Sequence, residues 1–492
     1  MENSANPMEL SNDALESLED STNPPKYSRT GANREVHMSL GGFHRSHQAY
    51  YLDQLNRKGD SGWMITAIGL MPQDEDKIKQ LRSQDGLYSL LMRSTKENVL
   101  NVVGSINEVL HAPSEQATVL ERLADPATKV LSLTITEKGY SYDETGNLDE
   151  SNDFIAADVK SPDSPKSALG YIVAGLKLRR DAGVEPYTVV SCDNLPTNGE
   201  LTEKLVLQYA ELVDADLAAW IKDNVKFPNS MVDRITPVTT DPIKDMVRDD
   251  FGIIDEYPVV SEDFIQWVLE DKFCNDRPAW EDVGVQVVPD AEPYEIMKVR
   301  LLNGSHSMLA YMSYLMGYRE VDTAMADPMI TEFVRRYMEE EVLPSVPDVP
   351  GMDLSEYRPT LIERFANPAI SDQIQRLAED GSTKIPNAVF SFLTGHLETG
   401  AKIDLTVFAL ACWFRYLQSS DEQGESIDIN DPRSAELIAA AKSDTPVESL
   451  LAIEPVFGAL GTNDGFVTKM NTALDKISAE GTKVALEKLL AG

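Results

Sequence analysis

Val36-His37-Met38-Ser39-Leu40-Gly41-Gly42-Phe43-His44-Arg45-Ser46-His47, running on to Leu55, is the stretch that decides how the first half of this chain folds. Val36–Leu40 reads as a short strand, Gly41-Gly42 as a tight turn, and the residues through Leu55 as a helix. Strand, glycine turn and helix is the layout in which backbone N–H groups and a helix start receive a dinucleotide pyrophosphate. A Gly-Gly pair also marks plain turns, so the reading rests on what surrounds it. His44 and His47 are the nearest approach to a metal pair, but no Cys or carboxylate ligands stand beside them, and no metal site is expected.

Trp63–Leu70 (WMITAIGL) reads as a second strand, followed by MPQDEDK. In a dinucleotide fold a carboxylate beyond the second strand binds the adenosine ribose hydroxyls, and this acidic stretch supplies candidates. An acidic loop in an acidic protein would look the same. Further strands are expected at Val130–Thr136 and Tyr187–Ser191, with helical patterns at Glu115–Leu123 and Ala168–Arg180. Strands alternating with helices imply a mainly parallel sheet covered on both faces. Leu201–Val225 reads as one long amphipathic helix. Trp267–Lys272 and a strand at Val285–Val288 complete this α/β, Rossmann-like N-terminal domain.

From about residue 290 the pattern turns helical, at Pro328–Glu341, Tyr357–Phe365, Ser371–Glu379, Pro386–Thr394, Leu405–Leu417 and Gly465–Leu490. The expected organisation is a mobile N-terminal arm (1–33, with a short helix around Ala14–Leu18), a dinucleotide-binding domain (34–289) and a mainly α-helical domain (290–492).

That second domain opens on Pro293–Gly317, PYEIMKVRLLNGSHSMLAYMSYLMG. Pro293 suits a first helical turn. At about 100° per residue, Glu295, Lys298, Leu302 and His306 fall within roughly 80° of one another, with Asn303 near the edge of that face. A half-exposed helix shows such a face too, but the flanking apolar residues point to burial, and buried polar groups need partners or a purpose.

The chain carries 81 acidic and 44 basic residues, a formal charge of −37. Nucleic acids and anionic membranes select basic surfaces, so neither is an expected partner. The acidity runs along the whole chain and leaves two readings: an ordinary acidic enzyme, or a halophilic protein of a high-salt cytoplasm, where screening relieves self-repulsion. The three cysteines, Cys192, Cys274 and Cys412, are too scattered for a disulfide framework. With a polar, acidic N-terminus, they fit a cytoplasmic protein. Monomer or oligomer stays open.

Lys298-x-Arg300-Leu301-Leu302-Asn303-Gly304-Ser305-His306-Ser307 resembles the signature of the polyol-specific long-chain dehydrogenase/reductase (mannitol dehydrogenase) family. Cys192-Asp193-Asn194-Leu195-Pro196-Thr197-Asn198-Gly199, Phe227–Pro237 (FPNSMVDRITP), QWVLEDKF and RPAWEDVGVQ resemble it too, in family order. The family turn is Gly-x-Gly-Gly-Phe-His-Arg-x-His. Here Ser39 replaces its first Gly, a place Ser fits only with negative φ.

The resemblance implies a Rossmann-like domain followed by a helical one similar to the C-terminal domain of 6-phosphogluconate dehydrogenase. It implies NAD as cofactor, held around Gly41, Gly42, Phe43, Arg45 and Asp74, with neutral Gln73 leaving NADP as a weaker substitute. Lys298 is then the general base, Asn194 and Asn303 donate to the reacting oxygen, His306 contacts substrate and Glu295 serves a proton exit. Asp233, Arg376 and Lys384 lie near the substrate. A base role requires burial to bring the lysine below its ordinary ~10.4, whereas Glu295 one turn earlier opposes that shift.

Zinc alcohol dehydrogenases use Cys/His/Glu clusters and short-chain dehydrogenases use Tyr-x-x-x-Lys. Neither is visible in the expected place, which leaves metal-independent, lysine-based alcohol activation. The implied reaction interconverts D-mannitol and D-fructose, a small polyol and its ketose. D-Arabinitol and fructuronate enzymes share the catalytic pieces, and a catalytically silent dinucleotide-binding protein stays as the reading from another class.

Overall fold

A computed structural model describes residues 7–59 and 61–492. The chain divides into two compact units, Met1–Glu292 and Pro293–Gly492.

The first unit is built on five parallel strands: β1 (Asn33–Met38), β2 (Trp63–Gly69), β3 (Ile106–His111), β4 (Thr128–Leu133) and β5 (Thr188–Ser191), in the order β3-β2-β1-β4-β5. Strand alternation sends successive side chains to opposite faces. Val36, Met38, Leu131 and Leu133 thus enter one apolar core under the Ala168–Ala182 and Asn198–Val213 helices. Ile65, Ala67, Val130 and Val190 enter another with Leu52, Trp267 and Trp280. Two three-stranded sheets flank this framework. One joins Val259–Glu262, Tyr88–Arg93 and Asn98–Val103; the other joins Gln286–Val288, Gln266–Glu270 and Ser230–Asp233. The α/β expectation is therefore met, with a larger share of antiparallel pairing than the periodicity suggested.

The arm differs from expectation. Residues 1–6 lie outside the described residues, but 7–33 are docked rather than mobile. Met8–Glu9 pairs in parallel with Ile253–Ile254, and Leu10 and Leu18 are buried with Ile243 and Val260. Arg29 donates to the carbonyls of Asp85, Gly104 and Ile106. Isolated apolar residues in a polar segment gave too little periodicity to show this.

The second unit is helical, with no strand among its described residues. Its central helix, Gly304–Leu315, is buried at every residue and packs Tyr311 against Trp413 and Tyr416. Two expected long helices are each two. Leu201–Val225 breaks at Asp214, whose carboxylate caps Ala215–Asn224 by accepting from Leu217 N–H. Gly465–Leu490 breaks at Gly481, φ +84°, between Asp464–Glu480 and Thr482–Ala491. A capping Asp and a Gly at positive φ override an apolar periodicity that runs across them.

Candidate active site

In the first unit the glycine turn lies at the carboxyl end of β1, the central strand, where open α/β sheets bind ligands. The negative φ expected of Ser39 is not adopted. Its φ is +129°, a region that favours glycine, and its Oγ accepts from the Gly41 N–H at 3.3 Å. A Cβ on Gly42 would meet only Thr236 Cγ2 at 3.4 Å, an ordinary contact, so space alone does not require glycine there. Arg45 is tied into the packing around the turn. It is 2 % exposed, donates to the Tyr257 carbonyl and lies over the Tyr257 ring at 3.7 Å, so it anchors the turn from beneath. Phe43 stacks on His47, whose Nε2 meets the Gln266 carbonyl. His44 stacks on His37 with ring centroids 3.4 Å apart, and burial pushes it down to about 3. The histidines are thus part of the packing.

Asp74 follows β2, as a ribose-binding carboxylate should. One of its oxygens accepts from Met71 N–H and the other meets Lys77 at 3.1 Å.

β5 ends at Ser191 and delivers Cys192, Asp193 and Asn194. Cys192 is buried, and that burial pushes its thiol well up, so it packs rather than reacts. Asn194 is exposed. Asn198, fully buried, ties this segment to the neighbouring Ser230–Asp233 strand. Its amide nitrogen donates to the Asp193 and Ser230 carbonyls, and its oxygen accepts from Ser230 N–H. That strand carries Asp233, 5 % exposed, at its end. The next residue, Arg234, is buried and donates to the Ser46 and Glu262 carbonyls.

In the second unit Lys298 closes the helix Glu292–Lys298 at 6 % exposure, with half-buried Glu295 three residues earlier. The helix continues, but through a π turn at Val299–Asn303, where Gly304 N–H donates to the Val299 carbonyl five residues back. A π turn rotates each residue by less than the ~100° of an α-helix. Residues five apart, such as Lys298 and Asn303, therefore come closer to one face than a uniform helix allows. The edge position expected for Asn303 moves towards the lysine. Two more π segments, Tyr337–Val342 and Pro386–Phe390, pack against this one. His306 follows, buried, with its ring 4.1 Å from that of Phe365.

Arg376 and Lys384 are brought together, the Lys384 ammonium donating to the Arg376 carbonyl at 3.3 Å. The Arg376 guanidinium is exposed and bidentate on Asp372. Among the described residues, no group of three or more His, Cys, Asp or Glu side chains is placed to hold a metal ion, and no helix is long and apolar enough to cross a membrane.

Sequence reasoning did not find the π turn or the bonds around Asp193. The signal for the second was present, as a carboxylate one residue beyond a parallel strand needs donors. The first left no pattern, because apolar residues fill both sides of the segment.

Comparison with known proteins covers nearly the whole chain. The mannitol dehydrogenase Rossmann domain matches residues 33–282 and the mannitol dehydrogenase C-terminal domain residues 290–478. Mannitol 2-dehydrogenase of Neosartorya fischeri is 41% identical over 95% of each chain. Mannitol dehydrogenase 2 of Saccharomyces cerevisiae is 41% identical over 97% of this chain and 96% of its own. The structure of Pseudomonas fluorescens mannitol 2-dehydrogenase in ternary complex with NAD and D-mannitol superposes with TM-score 0.89 at 40% identity, covering 98% of this chain and all of the other. That of a substrate-free D-sorbitol dehydrogenase gives 0.90 at 36% identity, over 97% of this chain and 100% of its own. These likenesses run through both units at full length: the chain belongs to the mannitol dehydrogenase family, a family of oxidoreductases.

Proposed function

We propose that the protein is an NAD-dependent, metal-independent polyol dehydrogenase that interconverts D-mannitol and D-fructose. The observation that carries this reading is the buried Lys298 at the mouth of a π turn that swings Asn303 towards it, in a chain similar over its full length to a mannitol 2-dehydrogenase that binds NAD and D-mannitol.

The residues around the glycine turn fit a dinucleotide. The turn stands at the carboxyl end of the central strand, and Asp74 beyond the second strand suits a ribose diol and repels a 2′-phosphate. When bound, the nicotinamide supplies the hydride acceptor. Lys298, neutral before reaction, takes the proton of the substrate hydroxyl, and Glu295 on the preceding turn passes it outward. The amides of Asn194 and Asn303 donate to the oxygen as charge develops on it, a contribution of about a hundredfold or more for each well-placed donor. His306, its ring fixed against Phe365, and Asp233 hold other hydroxyls of the polyol. The Asp372 carboxylate paired with Arg376 offsets its charge, which favours a neutral polyol over a sugar acid.

The test is NAD⁺ reduction with D-mannitol beside D-arabinitol, D-sorbitol and mannonate, with EDTA, at low and high KCl. Turnover of mannitol in EDTA is expected, and turnover of mannonate alone would move the substrate to a sugar acid. Silence towards all four, with NADH still bound, would reduce the protein to a dinucleotide sensor. The salt series tests whether a charge of −37 serves a saline interior. Lys298→Ala is expected to bind NADH normally and lose about 10²–10⁴ in kcat, partly regained at high pH. Unchanged turnover would remove the lysine from the mechanism.

A further inference from the structure

Asn194 sits on an exposed turn between a strand end and a helix, the kind of place where an amide wanders unless something fixes the backbone beneath it. The residue before it is built to do that. Both carboxylate oxygens of Asp193 are engaged: Oδ2 accepts from Ile135 N–H at 2.9 Å and from the Tyr140 hydroxyl at 2.7 Å, and Oδ1 accepts from Thr136 N–H at 2.8 Å. Ile135 ends the loop after β4, and Thr136, held at φ +60°, opens the one-turn helix Thr136–Gly139. Tyr140 is fully buried, and its hydroxyl also meets Ser191 Oγ at 2.5 Å. The Asp193 carbonyl, on the opposite side of the same residue, accepts from Asn198 and from Leu195 N–H. One residue thus bolts the end of β5 to the loop after β4 by its side chain, and to the helix start that follows by its backbone.

We propose that Asp193, with Tyr140 behind it, is a positioning residue that sets the Asn194 amide for the reacting oxygen. This deepens the functional reading above and rests on it. Replacing the carboxylate by an amide exchanges one acceptor oxygen for an NH₂ group facing donors. The loop bonds then fail in part, and Asn194 shifts while the sheet and the glycine turn keep their own packing.

The test is a double-mutant cycle in the full-length protein: Asp193→Asn, Asn194→Ala and the double variant, each measured for NADH affinity, kcat with the polyol the wild type oxidises, and the isotope effect with that polyol deuterated at the reacting carbon. Asp193→Asn is expected to lose about tenfold to a hundredfold in kcat, the scale of a 1 Å misplacement, with NADH affinity unchanged and the isotope effect raised as hydride transfer becomes limiting. In the Asn194→Ala background the same change should cost nothing further.

Losses that multiply in the double variant would overturn the proposal, and so would an Asp193→Asn enzyme of normal kcat. An Asn194→Ala enzyme of normal kcat would show a different failure, that of the role given to Asn194. Should Asp193→Asn fail to fold, Tyr140→Phe removes one of the three donors. It should give a smaller loss with the same dependence on Asn194, and independence of Asn194 would again overturn the proposal.

Discussion

The two units hold their candidate catalytic amides by opposite means. In the first, Asn194 is exposed at a strand end and fixed from outside, by Asp193, Tyr140, Asn198 and Ser230 bonding across three elements. In the second, Asn303 is fixed from within, because the helix that carries Lys298 carries it too and one π turn sets their relation. A loop site needs many buried polar groups, each of which must find a partner. A helical site needs only its own backbone and an apolar bed, as the fully buried Gly304–Leu315 shows. The first unit should therefore bear more polar strain than the second, and each variant below tests that difference.

The largest effect is expected from two buried carboxylates. In the second unit Glu341 is fully served, accepting from Leu405 N–H and Thr406 N–H at 2.8 Å each and from the Thr406 hydroxyl at 2.6 Å. In the first, Glu35 lies on β1 beneath the glycine turn. One oxygen accepts from Ser132 Oγ, while Oε2 has no hydrogen-bond partner among the described residues. Burial raises its carboxyl from 4.5 to about 7. The folded state then binds more protons than the unfolded one between those values, so this group's contribution to stability falls as pH rises through that window. The cost above pH 7 is about 3 kcal/mol. Glu35→Gln should remove the slope and melt higher than wild type at pH 8, while the two converge near pH 4. Equal melting profiles from pH 4 to 8 would mean that water or a shifted side chain satisfies Glu35, and the contrast with Glu341 would collapse.

The same contrast governs what the sequence revealed. The parallel sheet and the order of motifs were legible because strand alternation and strand-end positions leave a pattern in the residues themselves. Lys298, Asn303 and His306 were legible as a group because a helix turns spacing into a face, though a uniform 100° rotation misplaced Asn303. The backbone angle of Ser39 and the seating of Arg45 over the Tyr88 and Tyr257 rings were not legible. In both cases the deciding partners lie far along the chain, as with Arg45 and Tyr257, or in a backbone angle that no side chain announces. The docking of residues 7–33 escaped for the same reason, since a few apolar side chains suffice once a surface exists to receive them.

A smaller effect separates the two motif glycines. A Cβ on Gly199 would stand 2.5 Å from the carbonyl carbon and oxygen of Pro228, backbone atoms that cannot swing aside. Gly199 N–H also donates to Asn229 Oδ1 at 2.9 Å, so the clash falls on the polar clamp itself. Gly199→Ala is expected to lose about 1–3 kcal/mol, and to lower kcat through Asn194. A Cβ on Gly304 would meet nothing nearer than the Tyr337 hydroxyl at 3.4 Å, an ordinary contact. Helix propensity favours Ala there by about 0.5–1 kcal/mol, so Gly304→Ala should melt at or above the wild-type temperature. Equal destabilisation of both variants would show that the helical site is as tightly bound by its surroundings as the loop site.

The smallest effect is expected at Ser39, where the strain of the first unit is concentrated in one residue. A non-glycine residue at positive φ carries about 1–2 kcal/mol of strain, and its Oγ recovers part of that through the 3.3 Å bond from Gly41 N–H. Ser39→Gly relieves the strain but adds freedom to the unfolded chain, about 0.5–1 kcal/mol in the other direction. A net gain of up to about 1 kcal/mol remains. Ser39→Ala keeps the strain and loses the hydroxyl bond, so thermal denaturation should rank Gly above Ser above Ala. Under the cofactor placement proposed above, the same series also reads out the turn, because the Ser39 hydroxyl occupies the Gly41 amide that would face the pyrophosphate. NADH should bind the Gly variant more tightly than the Ser enzyme. If Ser proves the most stable of the three, its hydroxyl bond outweighs the strain at φ +129°. The turn would then be held by a bond among its own residues, as the lysine helix is, and the two units would differ less than their polar networks suggest.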